Sequence, residues 1–282
     1  MARTGEKPIS TLLVDADMLC FRATSGSERD ISFNKRWFVP SMDIEEAKAS
    51  FKARLSSLMK HSRCSERIMC FSDPSGKNFR KLIVDKTYKD NRRKSRKPLG
   101  YHEFVEWVME TYRHRWLPSL EGDDVIGILC TAGKIKDPVI WSGDKDLLQI
   151  PGLHLTELNN VAAIDPAGAL DFFMYQVLAG DMTDGYPGCP GMGDVKSLNI
   201  VFKQLKAVPY IHEFSRGPRK GQTETRYTEE HCDDLWEIVV SRYVAAGLGE
   251  RDALKTARLA KILHASDFNK QTKEVILWTP TK

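Results

Sequence analysis

Long apolar runs are missing from this 282-residue chain. The longest, such as 125–130, fall far short of the roughly 18 residues a membrane span needs, and mean hydropathy is −0.38. The opening residues Met-Ala-Arg-Thr-Gly-Glu-Lys-Pro have no apolar run behind their charges, so no secretory signal is expected. Cysteine is sparse: six residues, at 20, 64, 70, 130, 189 and 232, none in a Cys-x-x-Cys pair. Neither a zinc site nor a disulfide framework is expected, and a reducing cytoplasm is the natural setting. The seven histidines show no paired metal spacing. There is no internal repeat and no low-complexity tract. A membrane protein, a secreted disulfide scaffold and a disordered chain are all excluded. With 41% apolar and 28% charged residues, the chain can bury a core as one large domain or two small ones.

Net charge is only +4, but its distribution is uneven. From Lys77 to Lys97 there are ten Lys or Arg against Asp85 and Asp90, a local excess of eight, so the rest of the chain carries −4. Such a segment reads either as a contact for a polyanion or as a solvated loop.

Thr11–Asp15 reads as a buried strand ending in an acid. Residues 44 to about 61 have helical periodicity through Ala47, Phe51, Leu55 and Met59. Residues 67–73 form a second strand ending in an acid. Residues 101–112 read as a helix with Phe104, Val105, Val108 and Met109 on one face. Asp123 to Cys130 is a helix with acids in its first turn, and 138–142 a third strand before Gly143-Asp144-Lys145-Asp146. Alternating strands and helices predict an α/β fold with a largely parallel central sheet flanked by helices. Past Asp165 the pattern turns helical: 166–179, then a Gly/Pro-rich stretch 180–193, then helices over 229–246 and 252–264 and a short closing strand at 275–278. Residues 215–226 read as a basic surface loop. The predicted division is an α/β core over 10–165, with the basic segment within 77–115, and a helical part over 166–282.

Asp15, Asp73 and Asp144 each stand at a predicted strand end, where open α/β sheets place their ligands. Asp144 and Asp146 share one side if the chain there is extended. Glu121 and Asp124 share a helix face, with Asp123 between them, and Asp181 and Asp184 repeat that spacing. So many carboxylates in one pocket repel unless cations neutralise them. Oxygen-only donors select Mg²⁺ or Mn²⁺, and two such ions form a clamp for phosphodiester hydrolysis. Asp17 either supports this set or faces solvent.

In Gly180–Gly193, Gly188, Gly191 and Gly193 allow positive φ and close backbone approach, and Pro187 and Pro190 stiffen the turns. A helix starting near Asp194 aims free amides at a phosphate, with Lys196 as added charge.

These motifs resemble, in order, those of the 5′-nuclease (flap endonuclease) superfamily. They are Val14-Asp15, Phe71-Ser-Asp-Pro-Ser-Gly-Lys-Asn-Phe-Arg80, Tyr88-Lys-Asp-Asn-Arg92, Leu120-Glu-Gly-Asp-Asp-Val125, Ser142-Gly-Asp-Lys-Asp146, Gly180-Asp-Met-Thr-Asp184 and Gly188-Cys-Pro-Gly-Met-Gly193. Lys97-Pro-Leu-Gly-Tyr101 and the tail ending Ile276-Leu-Trp-Thr-Pro280 are similar to the branch of 5′→3′ exonucleases from short-tailed phages of the T-odd type. The resemblance implies a helical arch over the active site and a helix–three-turn–helix gripping duplex DNA. It implies metal ligands at Asp15, Asp73, Glu121, Asp123 and Asp124, and at Asp144, Asp146, Asp181 and Asp184. Arg80, Tyr88, Lys89 and Arg92 correspond to catalytic arch residues, and residues 188–193 to a potassium-linked phosphate site. Asp17 departs from many cellular members, which carry a neutral residue there.

The expected activity is two-metal hydrolysis of duplex DNA, and of RNA in RNA–DNA hybrids, from the 5′ end, releasing 5′-phosphorylated products. The expected setting is phage replication and recombination in the host cytoplasm, alongside replication proteins and without membrane contact. Lys89 and Arg92 lie on one face if helical, Tyr88 is placed to stack on a base, and Lys77, Arg93 and Lys94 are phosphate contacts. The competing readings are a structure-specific 5′-flap endonuclease, a PIN-type ribonuclease, and a junction-binding protein that has lost catalysis. The Gly/Pro turn with its helical C-terminal part argues against the PIN-type reading, and the complete acid set against the inactive one.

Overall fold

The structure is a computed structural model that describes residues 10–33, 35–94 and 96–280, without the side chains of Arg93 and Lys94. The chain divides into two compact units. The first comprises residues 1–82, 93–166 and 262–276, and the second 83–92, 167–261 and 277–282. Residues 83–92 go to the second unit and 262–276 to the first.

The first unit is built on a six-stranded sheet. In chain order its elements begin with β1 (Thr11–Asp15), α1 (Ala16–Ser27), β2 (Glu28–Ser32), β3 (Phe38–Met42), α2 (Ile44–Ser62) and β4 (Glu66–Cys70). They continue with α3 (Tyr101–Thr111), β5 (His114–Arg115), α4 (Gly122–Thr131), β6 (Val139–Trp141), β7 (Gly152–Leu155) and β8 (Val161–Ile164). The sheet order is β5-β4-β1-β6-β7-β8. All neighbours are parallel except β7 with β8. β1 is central, and Leu12, Leu13 and Val14 are wholly buried, the continuous apolar run of a parallel strand covered on both faces. From β1 the chain builds outward to β4 and β5, then crosses back to β6. The ends of β1 and β6 therefore flank the point where strand order reverses, the place where such sheets open a crevice.

Helix α2 starts where the Asp43 carboxylate accepts from the amides of Glu45 and Glu46 (2.9 and 3.3 Å), an N-cap. Its buried stripe of Ala47, Phe51, Leu55 and Leu58 packs into one core with α1, α3 and the sheet. Helix α1 gives little local signal, because Thr24 and Ser27 sit on its buried face. Their hydroxyls are satisfied by the carbonyls of Cys20 (2.9 Å) and Ala23 (3.0 Å) one turn back.

The second unit contains α5 (Pro166–Ala179), α6 (Asp194–Lys203), the antiparallel hairpin β9 (Leu205–Glu213) and β10 (Thr223–His231), α7 (Leu235–Ala245) and α8 (Glu250–Ala260). Its core joins Phe173, Val177, Leu178, Ile200, Ile238, Val239 and Tyr243. The short pair β11 (Phe268–Asn269) and β12 (Glu274–Val275) belongs to the first unit.

Several sequence expectations are corrected. Residues 229–231 end a strand, and the following helix starts only at Leu235, after the Asp234 cap. Of the 215–226 loop, residues 215–222 are the hairpin tip and only 223–226 belong to strand β10. The last helix ends at Ala260 and the closing strand is Glu274–Val275. The basic segment is no continuous helix. It has one wide helical turn over Arg80–Val84, a 3₁₀ turn over Asp90–Lys94, and then α3, which is part of the core. Among the described residues all six cysteines are free, and no helix is long and apolar enough to cross a membrane.

Candidate active site

Asp15 ends β1 and caps α1, accepting from the Met18 amide at 3.0 Å. Its other oxygen accepts from the Ser142 hydroxyl at 2.6 Å, just past the end of β6. Burial pushes the Asp15 carboxyl up to about 6. The hydrogen bonds from Ser142 and Met18 oppose this shift, and the charges of Asp17 and Asp144 add to it. The Ser142 hydroxyl oxygen also accepts the Asp144 amide at 3.0 Å, so one serine links the two strand-end acids. Asp144 in turn accepts from the Asp146 amide at 3.0 Å and caps a 3₁₀ turn over Lys145–Gln149. The chain there is thus curled rather than extended.

Past β4, the Gly122 amide donates to the Ser72 hydroxyl at 3.0 Å, which sets the N-terminus of α4 beside the end of that strand. A side chain at Gly122 would press on the Asp17 carboxylate and the Cys70 carbonyl. Burial raises the Cys70 thiol, with further pushes from Asp15, Asp123 and Asp17, so three carboxylates act on one buried point at the sheet's carboxyl end. Asp17 is committed locally: it accepts from the Ser72 amide at 2.8 Å and the Tyr101 hydroxyl at 3.4 Å.

Other expected ligands also carry structural hydrogen bonds. Asp73 accepts the amides of Ser75 (2.8 Å) and Ser119 (2.6 Å). Burial alone would raise this carboxyl, but these bonds and Lys77 outweigh it and hold it below its ordinary value. Asp124 is wholly buried. It takes Arg80 Nη1 and Nη2 at 2.7 and 2.8 Å, the Leu263 amide at 3.1 Å and the Glu121 amide at 3.2 Å. Arg80 Nη1 also reaches Glu121 at 3.1 Å. Arg80, expected as an arch cation, is a buried partner of Asp124, because an isolated carboxylate there would be uncompensated.

In the second unit Asp184 gathers the Tyr88 hydroxyl at 3.0 Å, Lys89 Nζ at 3.2 Å and the Arg92 guanidinium. Tyr88 is buried in that unit's core and is not exposed for base stacking. Lys89 has φ of 57° within a turn, so it meets Arg92 through that turn and not along a helix face. Asp181 accepts the amides of Thr183 (2.7 Å) and Asp184 (3.3 Å). Lys77 is exposed; the side chains of Arg93 and Lys94 lie outside the described residues.

Helices α5 and α6 are joined by the glycine-rich turns. Gly180 and Gly188, both at positive φ, press backbone on backbone where neither could carry a Cβ, and the Cys189 amide donates to the Leu178 carbonyl at 2.9 Å. Gly188 is thus buried packing. Gly191 (φ 73°) and Gly193 stand in open space, and Gly193, contrary to expectation, has an ordinary φ of −125°. Lys196 is exposed and donates to the Gly191 carbonyl at 3.3 Å.

Among the described residues, no three His, Cys, Asp or Glu side chains converge as a ready-made metal cage. The donor chemistry nevertheless suits a hard cation: oxygen atoms only, with Asp15 strained by burial and by two neighbouring charges. The residues that motif reading missed are Ser72 and Ser142. The available signal was a shared pattern, an apolar strand followed by Ser and then Asp at 71–73 and 141–144.

Residues 10–172 match the family described as 5′-3′ exonuclease, N-terminal resolvase-like domain. The exodeoxyribonuclease of Enterobacteria phage T3 is 32% identical over 99% of this chain and 95% of its own length. The exonuclease of Escherichia phage T7 is 30% identical over 99% and 96%. The solved structure of the phage T5 D15 protein, co-crystallised with metal ions, shares the fold at a TM-score of 0.51. It is 17% identical, over 69% of this chain and 75% of that one.

Proposed function

Because the chain belongs to the 5′-3′ exonuclease family and is a 5′-3′ nuclease, we propose that it degrades duplex DNA from the 5′ end as a metal-dependent exonuclease. Its products would be 5′-phosphorylated, and RNA in RNA–DNA hybrids would serve as a further substrate. The setting would be phage replication and recombination in the host cytoplasm, alongside replication proteins. The observation that carries this reading is the Ser142 link between Asp15 and Asp144 at the reversal of strand order. The whole-length likeness to proteins named exonuclease favours this reading over a flap endonuclease.

Asp15, Asp123, Asp144, Asp146 and Glu121 would hold divalent ions, Mg²⁺ or Mn²⁺, and Asp73, Asp124, Asp181 and Asp184 would be further ligands. Two such ions supply Lewis-acid charge at the phosphate and a nucleophilic water at neutral pH. The chain's own part is positioning. Ser142 and the Met18 amide fix Asp15, Ser72 fixes the start of α4, and Arg80 holds Asp124 through both carboxylate oxygens. Lys89 and Arg92 supply cationic charge to the strand being cut, as do Lys77, Arg93 and Lys94. The turn 188–193 with Lys196 holds duplex phosphate through backbone atoms, with K⁺ at that turn.

The test is digestion of duplex DNA labelled at either end, with Mg²⁺ or with EDTA. Early release of the 5′ label as short phosphorylated products, abolished by EDTA, is expected. Early release of the 3′ label, or cleavage in EDTA, overturns the reading. Faster cutting of a 5′ flap than of a recessed 5′ end would assign the site to flap cleavage instead.

A further inference from the structure

The segment between α6 and α7 carries a charge pattern that the acid site does not use. β9 and β10 pair from Leu205 with His231 to Glu213 with Thr223. Nine residues per strand span about 30 Å at roughly 3.3 Å each. A lone two-stranded ribbon is marginal in water, and this one is pinned at its base. Arg242 donates to the Leu205 carbonyl through Nε (3.2 Å) and Nη2 (2.6 Å), and to Glu229 through Nη1 (3.0 Å). The Ala207 amide donates to Ser241 at 2.9 Å, and Lys206 pairs with Glu237 at 2.9 Å.

The outer end is built differently. Residues 214–222 hold Arg216, Arg219 and Lys220 and no acid. The Phe214 ring lies under the Arg219 guanidinium at 3.9 Å and near that of Arg226 at 5.4 Å, with His212 edge-on at 5.0 Å. Glu224 ties both guanidinia, Arg219 at 3.0 Å and Arg226 at 2.5 Å. Arg216 and Lys220 are exposed, and among the described residues neither has an ion-pair partner. Gly217 and Gly221 turn the chain at φ of 77° and 79°, and nothing lies within 4 Å of where either would carry a Cβ. The tip therefore turns through open space at these two glycines on a pinned arm, with Phe214, Arg219, Glu224 and Arg226 tied to one another in advance of any contact.

We propose that this hairpin tip is a second DNA contact, in which Arg216 and Lys220 bind backbone phosphates of duplex DNA well beyond the turn at 188–196. The argument for backbone over bases is that guanidinia already cover Phe214, the single aromatic of residues 214–222, and close that ring to base stacking. The argument for length is that a 30 Å arm matches about nine nucleotide steps at 3.4 Å each. Acids such as Glu213 and Glu230 on the stalk disfavour DNA lying along it, so contact is confined to the end. The inference rests on the DNA-nuclease reading above.

The test uses the full chain, with Arg216→Ala/Lys220→Ala and Arg216→Glu/Lys220→Glu. Both alter exposed residues outside the acid site. Binding is measured in EDTA by fluorescence anisotropy on duplexes of increasing length, each across a salt series. On long duplexes the Ala pair is expected to lose about tenfold in affinity, the Glu pair more. The slope of log affinity against log salt should fall by about 2, roughly 0.9 for each phosphate that the variant no longer neutralises. Short duplexes should bind as in wild type, and single-turnover cleavage of them should be unchanged. Unchanged affinity and slope at every length overturns the proposal and points instead to an acidic protein as the tip's partner. Equal losses on short and long duplexes also overturn it. Failure of the nuclease reading is separate, since it shows as wild-type protein that releases no 5′ label.

Discussion

Arg80 forks onto both oxygens of Asp124 at 2.7 and 2.8 Å, and both side chains are buried. Two residues 44 positions apart thereby fasten the start of the basic segment to α4. With the Leu263 amide also on Asp124 at 3.1 Å, the tail of the first unit is held at the same point. Asp124→Asn or Arg80→Met leaves a buried charge without its partner and should cost about 3–5 kcal/mol. Urea denaturation checks this. A loss below about 1 kcal/mol would mean that the pair opens to water and is free for catalysis.

Asp15 sets stability against activity. Its ordinary carboxyl value is 3.8, and in the fold it is pushed up to about 6. Between those values the folded chain keeps a proton that the unfolded chain has released. This contribution to stability is therefore complete below about pH 4 and is lost as pH rises through 6. Asp15→Asn removes the penalty and should raise stability at pH 7 by on the order of 1–3 kcal/mol, with cleavage lowered by at least roughly 100-fold. Melting curves in EDTA from pH 4 to pH 8 check the first part. A variant no more stable than wild type at pH 7 would contradict the assignment of strain to this carboxylate.

Around Asp184, charge and packing are separable. Lys89→Ala and Arg92→Ala should slow single-turnover cleavage roughly 30- to 1000-fold, on the scale of about 2–4 kcal/mol for an electrostatic clamp. Tyr88→Phe removes the hydroxyl and its bond to Asp184 at 3.0 Å and should cost about 1–2 kcal/mol of stability with little change in rate. If Tyr88→Phe slows cleavage as much as Lys89→Ala, the tyrosine acts on substrate and not through Asp184.

Two glycines of one turn should respond differently. Gly188→Ala drives a methyl into the Gly180 backbone and should destabilise the second unit by more than about 3 kcal/mol. Gly191→Ala meets open space at φ 73° and should cost about 1–2 kcal/mol from conformation alone. Its effect on duplex binding should exceed its effect on melting temperature. Similar melting losses for both would show that the turn's two halves are equally packed.

Local pattern alone determined much of this protein. Strand β1 and its terminal Asp15, the stripe of α2, the acids opening α4 and the helix at 166–179 all follow from residues within a few positions of one another. Periodicity and capping are short-range physics, so they are written in short stretches of sequence. Strand pairing is not local. The hairpin at 205–231 and the one formed by β2 and β3 have exposed or mixed faces, without the clean alternation that marks a half-buried strand, and only pairing in register with a partner defines them. The fates of charged residues are equally non-local. By residue type and motif Asp124 reads as a ligand and Arg80 and Tyr88 as substrate contacts, yet their partners lie 44 and 96 residues away. Ser142 reaches Asp15 across 127 residues. The types of residue that could do the chemistry were legible in the chain; which of them stay free for it was decided by the tertiary structure, because a buried charge takes whatever counter-charge or hydrogen bond the fold brings within reach.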